Sequence, residues 1–365
     1  MKLKQLTYAS TGVNYAAMDP LKLLAQKAAA KTVTSSNIKE IAASRGESAY
    51  VWEEKDSYRA LVIEGLGTKN RVADETRKIT GKTYYDSIAQ DTVAMIVNDL
   101  IVVGAAPQVV NAYFAVGSSD WFSDEKRAAD LVNGWARACK LAGAVWGGGE
   151  TPTLKSIIEP ATIDLAGSAV GIIKPKKRLT LGDKISAGDA IILVESSGIH
   201  ANGLTLARKI SEKLAVGYAT KLSDGSLYGE ALLKPTHIYA RLVSALFAEG
   251  IDIHYMVNIT GHGWRKLMRG QKIFSYIIDS IPTPQPLFDC IQKYSGNDDT
   301  EMYGNFNMGA GFALFVPQKQ VEKTQVIAKK LRFKTWKAGV IENGPKQVVI
   351  RSRNIIFSEN TLSVR

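Results

Sequence analysis

Strands alternating with helices predict an α/β or α+β chain of two domains, and three observations carry that expectation. The length of 365 residues suits about two domains. Hydrophobic residues at 45% against 22% charged are the mix of an ordinary globular protein. A basic, proline-containing run, Lys174-Pro175-Lys176-Lys177-Arg178, separates two series of strands. It sets an amino-terminal domain at 1–174 and a carboxy-terminal α/β domain at 175–365.

In chain order, residues 19–31 read as a helix and 60–63 as a short buried strand that runs into Glu64-Gly65-Leu66-Gly67-Thr68-Lys69. A helix beginning at Asp91 extends to about Val103, and a turn over 104–107 leads into a buried strand at 109–115. Ala128, Leu131, Val132, Trp135 and Ala138 recur at helical spacing and predict a helix over 125–142. A strand at 144–146 opens onto Gly147-Gly148-Gly149-Glu150, and 163–173 is another strand. In the second half, strands at 190–194, 274–278, 311–316 and 348–351 are interspersed with helices at 204–214 and 238–248.

Composition excludes several classes. Cys139 and Cys290 support neither a disulfide framework nor a cysteine-based zinc site, and both read as buried apolar residues. Residues 93–117 are apolar enough to suggest a membrane span, but Asp99 in its interior and Pro107 argue against one. The first residues, Met1-Lys2-Leu3-Lys4-Gln5, lack the apolar stretch of a signal peptide, so a cytoplasmic location is the default expectation. A net charge of +11 suits a phosphorylated ligand, and it also suits non-specific nucleic-acid contact. The run at 174–178 reads as a solvated connector, so nucleic acid is not the expected partner.

Four segments carry chemistry. A strand ending in Gly65-Leu66-Gly67-Thr68-Lys69 lets backbone approach a polyphosphate that Lys69 neutralises, although neither the Walker spacing nor a dinucleotide fingerprint is present. On one helix Asp91 and Asn98 share a face, and Asp91 and Asp99 stand roughly 12 Å apart along the axis, too far for one metal. Two Mg²⁺ ions along a triphosphate would fit that separation; an N-cap at Asp91 and a satisfied buried pair at Asn98-Asp99 is the plainer reading. The glycines before Glu150 permit close ligand approach, with Glu150 as a further metal ligand or base. The turns Ser196-Ser197-Gly198-Ile199-His200-Ala201-Asn202-Gly203 and Asn258-Ile259-Thr260-Gly261-His262-Gly263 suit a phosphate monoester.

Taken together, these segments resemble the aminoimidazole ribonucleotide synthetase (phosphoribosylformylglycinamidine cyclo-ligase) family. The resemblance runs from Tyr8-Ala9-Ser10-Thr11-Gly12-Val13 to about Ile350. It rests chiefly on Asp91-Thr92-Val93-Ala94-Met95, Val97-Asn98-Asp99-Leu100, Gly148-Gly149-Glu150-Thr151, Asp164-Leu165-Ala166-Gly167, and Met302-Tyr303 with Phe306-Asn307-Met308-Gly309. It implies a two-domain subunit with an amino-terminal mixed sheet, a homodimer whose amino-terminal sheets combine, and ATP with Mg²⁺ near that interface. The implied reaction closes the imidazole ring of a purine precursor. Asp91, Asp99 and Glu150 would be metal ligands, Asp99, Lys69 and Asn98 catalytic groups, and Glu64, Gly65, Gly67, Thr68 and Lys69 ATP contacts. His200, Asn202, Gly203, Thr260 and Gly261 would hold the substrate phosphate. Glu64 stands where the family usually has Asp, Thr11 and Asn14 replace Ala and Asp, Ala201 replaces Ser, His262 replaces Gly, and Pro152 begins a departure after Thr151. Other ATP-using enzymes of the superfamily, or a catalytically silent ligand- or nucleic-acid-binding relative, are the alternatives.

Overall fold

The computed structural model describes Leu6, Gly12 and residues 15–362. The amino-terminal motif, including Thr11 and Asn14, therefore lies outside the described residues apart from Gly12. Helix α1 (Tyr15–Lys31) leads to strands β1 (Lys39–Glu40), β2 (Tyr50–Glu53) and β3 (Tyr58–Gly65). Helices α2 (Lys69–Thr80) and α3 (Tyr85–Val102) come next, followed by β4 (Ala106–Val116), α4 (Glu125–Ala142), β5 (Val145–Glu150) and β6 (Ile163–Ile173). These six strands form one sheet in the order β1-β2-β3-β6-β4-β5, antiparallel except for the β4–β5 pair.

Burial alternates along β6, as expected of a strand with one face on a core and one face open. The covered face packs on α3, whose residues from Tyr85 to Val102 are nearly all buried. This helix starts six residues before Asp91, so Asp91 is an interior residue and no N-cap. Among the described residues no helix is long and apolar enough to cross a bilayer. Cys139 is buried and Cys290 half-buried.

The second sheet begins with β7 (Ala190–Glu195) and adds β8 (Tyr255–Asn258), β9 (Ser275–Ile278), β10 (Ala310–Val316), β11 (Thr335–Glu342), β12 (Gln347–Ile350) and β13 (Ile355–Ser358). Its order is β13-β12-β9-β11-β7-β10-β8, antiparallel except for β12–β9. Helices α5 (Leu204–Ser211), α6 (Tyr228–Leu232), α7 (Ala240–Ala248), α8 (Pro286–Ser295), α9 (Asp299–Asn305) and α10 (Val321–Lys330) complete it. The central strands β7 and β10 are buried on both faces, which explains their unbroken apolar runs. Helix α3 also touches β8 and α7, so it lies between the two sheets and presents polar side chains to both.

Candidate active site

The polar residues of α3 divide into two groups. Asp91 and Lys69 meet each other: Lys69 Nζ is 2.7 Å from Asp91 Oδ2, and both side chains are fully buried. Lys69 also donates to the carbonyls of His200 (2.8 Å) and Lys234 (3.1 Å), while Asp91 Oδ1 accepts from the backbone N–H of Thr236 (2.8 Å) and its hydroxyl. Burial pulls the Lys69 ammonium down and pushes the Asp91 carboxyl up, each opposed by the partner's charge. Asn98 donates to the His237 carbonyl (2.8 Å) and accepts from the Tyr239 N–H (3.0 Å). These three residues therefore tie helices α2 and α3 to the 234–239 segment of the second half of the chain. The expected roles of Lys69 at a polyphosphate, Asp91 at a metal and Asn98 in chemistry do not match this geometry, because their polar atoms are spent on protein partners in a buried contact.

Asp99, one position further along the helix, faces a different set. Asn258 at the end of β8 donates to its Oδ1 at 2.7 Å. Glu64, near the end of β3, hydrogen-bonds the same carboxylate, and burial together with the Asp99 charge pushes the Glu64 carboxyl up to about 7. Lys266 stands by this pair and donates to Thr260 Oγ1 at 2.6 Å; burial draws its ammonium down to about 8 against the pull of Asp99. The cluster thus joins β3, α3, β8 and the turn after β8. Behind it Glu47 accepts from the Tyr255 hydroxyl at 3.0 Å and lies 3.8 Å from Arg269.

The two phosphate turns come together, but not every residue in them faces outward. Asn202 Oδ1 accepts from the Gly261 N–H at 3.2 Å, which brings Asn202, Gly203, Thr260 and Gly261 to the same side as Lys266. His200 turns inward instead. Its ring accepts from the Ser197 N–H at 3.2 Å, and burial holds it neutral, so it offers no positive charge to a phosphate. His262 sits at φ 69°, the left-handed region where glycine costs least, and burial and Lys266 draw it down to about 4.

Gly65 and Gly67 are exposed and Thr68 is half-buried at the strand-to-helix turn before α2, with Gly67 at φ 73°. The glycines at 147–149 lie within β5 and are not a loop. A Cβ on Gly147 would stand 2.5 Å from Val109 Cγ1, and one on Gly149 would stand 2.2 Å from the Ala112 carbonyl, so close strand packing demands both. Glu64, Gly167, Ala112 and Gly149 align across the sheet. Glu150 follows Gly149 and therefore points to the opposite face, where it is exposed. Within one chain it lies across three strands from Glu64, and among the described residues no three His, Cys, Asp or Glu side chains converge on a metal position. The expected triad of Asp91, Asp99 and Glu150 is thus not assembled within one chain. Of the groups assigned above, Asp99 and Glu64 are the two carboxylates that meet.

Sequence reasoning missed Asn258 and Lys266 as members of the site. Asn258 at least opens a recognisable glycine turn, but Lys266 sits among Trp264, Leu267 and Met268 with no local pattern to single it out.

A family model described as AIR synthase related protein, N-terminal domain, matches residues 46–173, and one described as AIR synthase related protein, C-terminal domain, matches 186–352. The chain is 33% identical over 370 residues to the phosphoribosylformylglycinamidine cyclo-ligase of Carboxydothermus hydrogenoformans, covering 95% of this chain and 99% of that protein. It is 36% identical over 327 residues to the protein of the same name in Methanocaldococcus jannaschii, covering 89% of each. Solved structures share the fold at low identity. A HypE–HypF complex superposes with TM-score 0.60 at 16% identity over 86% of this chain and 92% of that one. AaThiL complexed with AMPPCP and TMP gives 0.58 at 13% over 89% and 92%.

Proposed function

This chain belongs to the AIR synthase related family, and on that premise we propose that it closes formylglycinamidine ribonucleotide to aminoimidazole ribonucleotide, converting ATP to ADP and phosphate. The observation that carries this reading is the meeting of Glu64, Asp99, Asn258, Thr260 and Lys266 between the two sheets, beside the paired turns of Asn202 and Gly261.

In the reaction, the formamide oxygen takes the γ-phosphoryl group, and an amine of the same molecule attacks the activated carbon. Phosphate then leaves with that oxygen. Such a step needs positioning and charge neutralisation more than covalent help from the protein. Asn202, Gly203, Thr260 and Gly261 suit the ribose phosphate, with Lys266 supplying positive charge. ATP would bind with its phosphates beside Glu64 and Asp99, where Gly65, Gly67 and Thr68 leave the strand-to-helix turn before α2 open to solvent.

Two carboxylates in contact, with a carboxamide beside them, fit a hard cation that completes its shell with phosphate oxygens. Glu64 and Asp99 would hold Mg²⁺, which when bound neutralises the transferring phosphoryl group. A homodimer is part of this reading. The open face of the first sheet carries Leu61, Ile63 (76% exposed), Val109 and Val145, an apolar surface that a second copy would cover.

ADP release by the purified protein with Mg²⁺-ATP, measured with and without formylglycinamidine ribonucleotide, tests the proposal. Release that requires this substrate and disappears in Asp99→Asn supports it; ATP turnover indifferent to the substrate refutes it.

A further inference from the structure

The segment 329–337, Lys-Lys-Leu-Arg-Phe-Lys-Thr-Trp-Lys, runs from the end of α10 into β11 and takes no part in the site above. It holds five cations in nine residues, and no Asp or Glu occurs between Glu322 and Glu342. Lys329, Lys330, Arg332, Lys334 and Lys337 are all exposed, and among the described residues none of their side chains has a carboxylate partner. The other basic run differs: Lys174 pairs with Asp56 and Lys176 with Glu53.

Between α10 and the start of β11 lies a groove of about 500 Å³ lined by Gln325, Val326, Lys329, Phe333, Lys334 and Trp336 among others. Both rings are half-buried. Phe333 is held from behind by Tyr239 and His237, each with ring centroids 5.5 Å away. Phe333 is thus held on the α10 side of the second sheet, whereas Trp336, opposite Leu193 on β7, packs against the other face, so Phe333 is the ring that the cations surround.

We propose that this groove binds single-stranded nucleic acid, with a base against Phe333 and phosphates on Lys329, Arg332 and Lys334. Charge complementarity selects a polyanion. The Phe333 ring face selects one whose bases are unpaired, because a duplex keeps its base faces stacked inside. A bilayer would instead need apolar side chains that protrude beyond the charges. The surface is separate from the proposed catalytic cleft, so this inference stands or falls apart from the ring-closing reading.

The test is fluorescence anisotropy of a labelled 12-nucleotide single-stranded RNA with the full-length protein. With about three phosphate contacts the affinity falls roughly 20-fold between 50 and 200 mM salt, from the single-strand slope of about −0.7 per contact. The triple variant Lys329→Glu, Arg332→Glu, Lys334→Glu, with an unchanged melting temperature as proof of folding, is expected to lose binding. Phe333→Leu keeps an apolar group against Tyr239 but removes the stacking face, and about tenfold weaker binding is expected at unchanged salt slope. Absence of binding at 50 mM salt, binding that survives the triple reversal, or equal affinity of wild type and Phe333→Leu would each overturn the proposal. So would binding to phosphatidylserine vesicles without binding to RNA.

Discussion

Replacing Lys69 with Met separates two roles for this lysine, an anchor for the second domain and a contact for polyphosphate. In the structure Nζ is fully buried between Asp91 at 2.7 Å and two carbonyls at 2.8 and 3.1 Å. Methionine fills a similar volume but leaves the Asp91 carboxylate without its cation and two acceptors without a donor. Removing one partner of a buried pair typically costs about 3–5 kcal/mol, more than the pair itself contributes, since the remaining charge is stranded. If both sheets unfold together, the unfolding entropy at about 2.1 cal/mol/K per residue is near 0.8 kcal/mol/K, so a loss of about 4 kcal/mol lowers Tm by roughly 5 °C. Calorimetry of Lys69→Met and of Lys69→Met with Asp91→Leu reads this directly. The double variant is expected to recover most of the loss, because it removes the stranded charge. A Tm within 1 °C of wild type, together with a tenfold higher KM for ATP, would refute the buried-anchor reasoning and return Lys69 to the phosphates.

Three other outcomes follow from the same geometry. Glu64 has its carboxyl raised from an ordinary 4.5 to about 7, so the folded protein holds a proton there that the unfolded chain has released; stability is therefore lost as pH rises from about 4.5 through 7. Urea titrations of the metal-free protein at pH 5 and pH 8 are expected to show a loss on the order of 2 kcal/mol that Glu64→Gln lacks, and identical pH profiles would contradict it. Lys266→Met removes the ammonium beside Asp99 and Thr260 and is expected to lower substrate-dependent ADP release at least tenfold; an unchanged kcat/KM would remove Lys266 from the site. Gly149→Ala drives a Cβ to 2.2 Å from the Ala112 carbonyl and should destabilise the β4–β5 pair by about 1–3 kcal/mol, so a urea midpoint equal to wild type would show that the strand shifts freely.

Periodicity was enough to read α4 and β6, whose predicted limits of 125–142 and 163–173 coincide with the observed ones. Each buries one face against a single core, and burial of that kind leaves its record in the spacing of apolar residues. The motifs at 64–69, 91–99, 196–203 and 258–263 likewise marked the chain as a family member before any fold was drawn. Their division of labour was not legible. Asp91 and Asp99 are similar acids on one helix, yet one meets a lysine from α2 and a threonine from the 234–239 segment, while the other meets Glu64, Asn258 and the neighbourhood of Lys266. Which partner each acid finds depends on how the second sheet docks against α3, a contact between residues more than a hundred positions apart. Local sequence determined that polar groups would be buried on this helix. Only the tertiary structure decided which of them would be satisfied by protein and which would be left facing a site, because a hydrogen-bond partner is a matter of place and not of order along the chain.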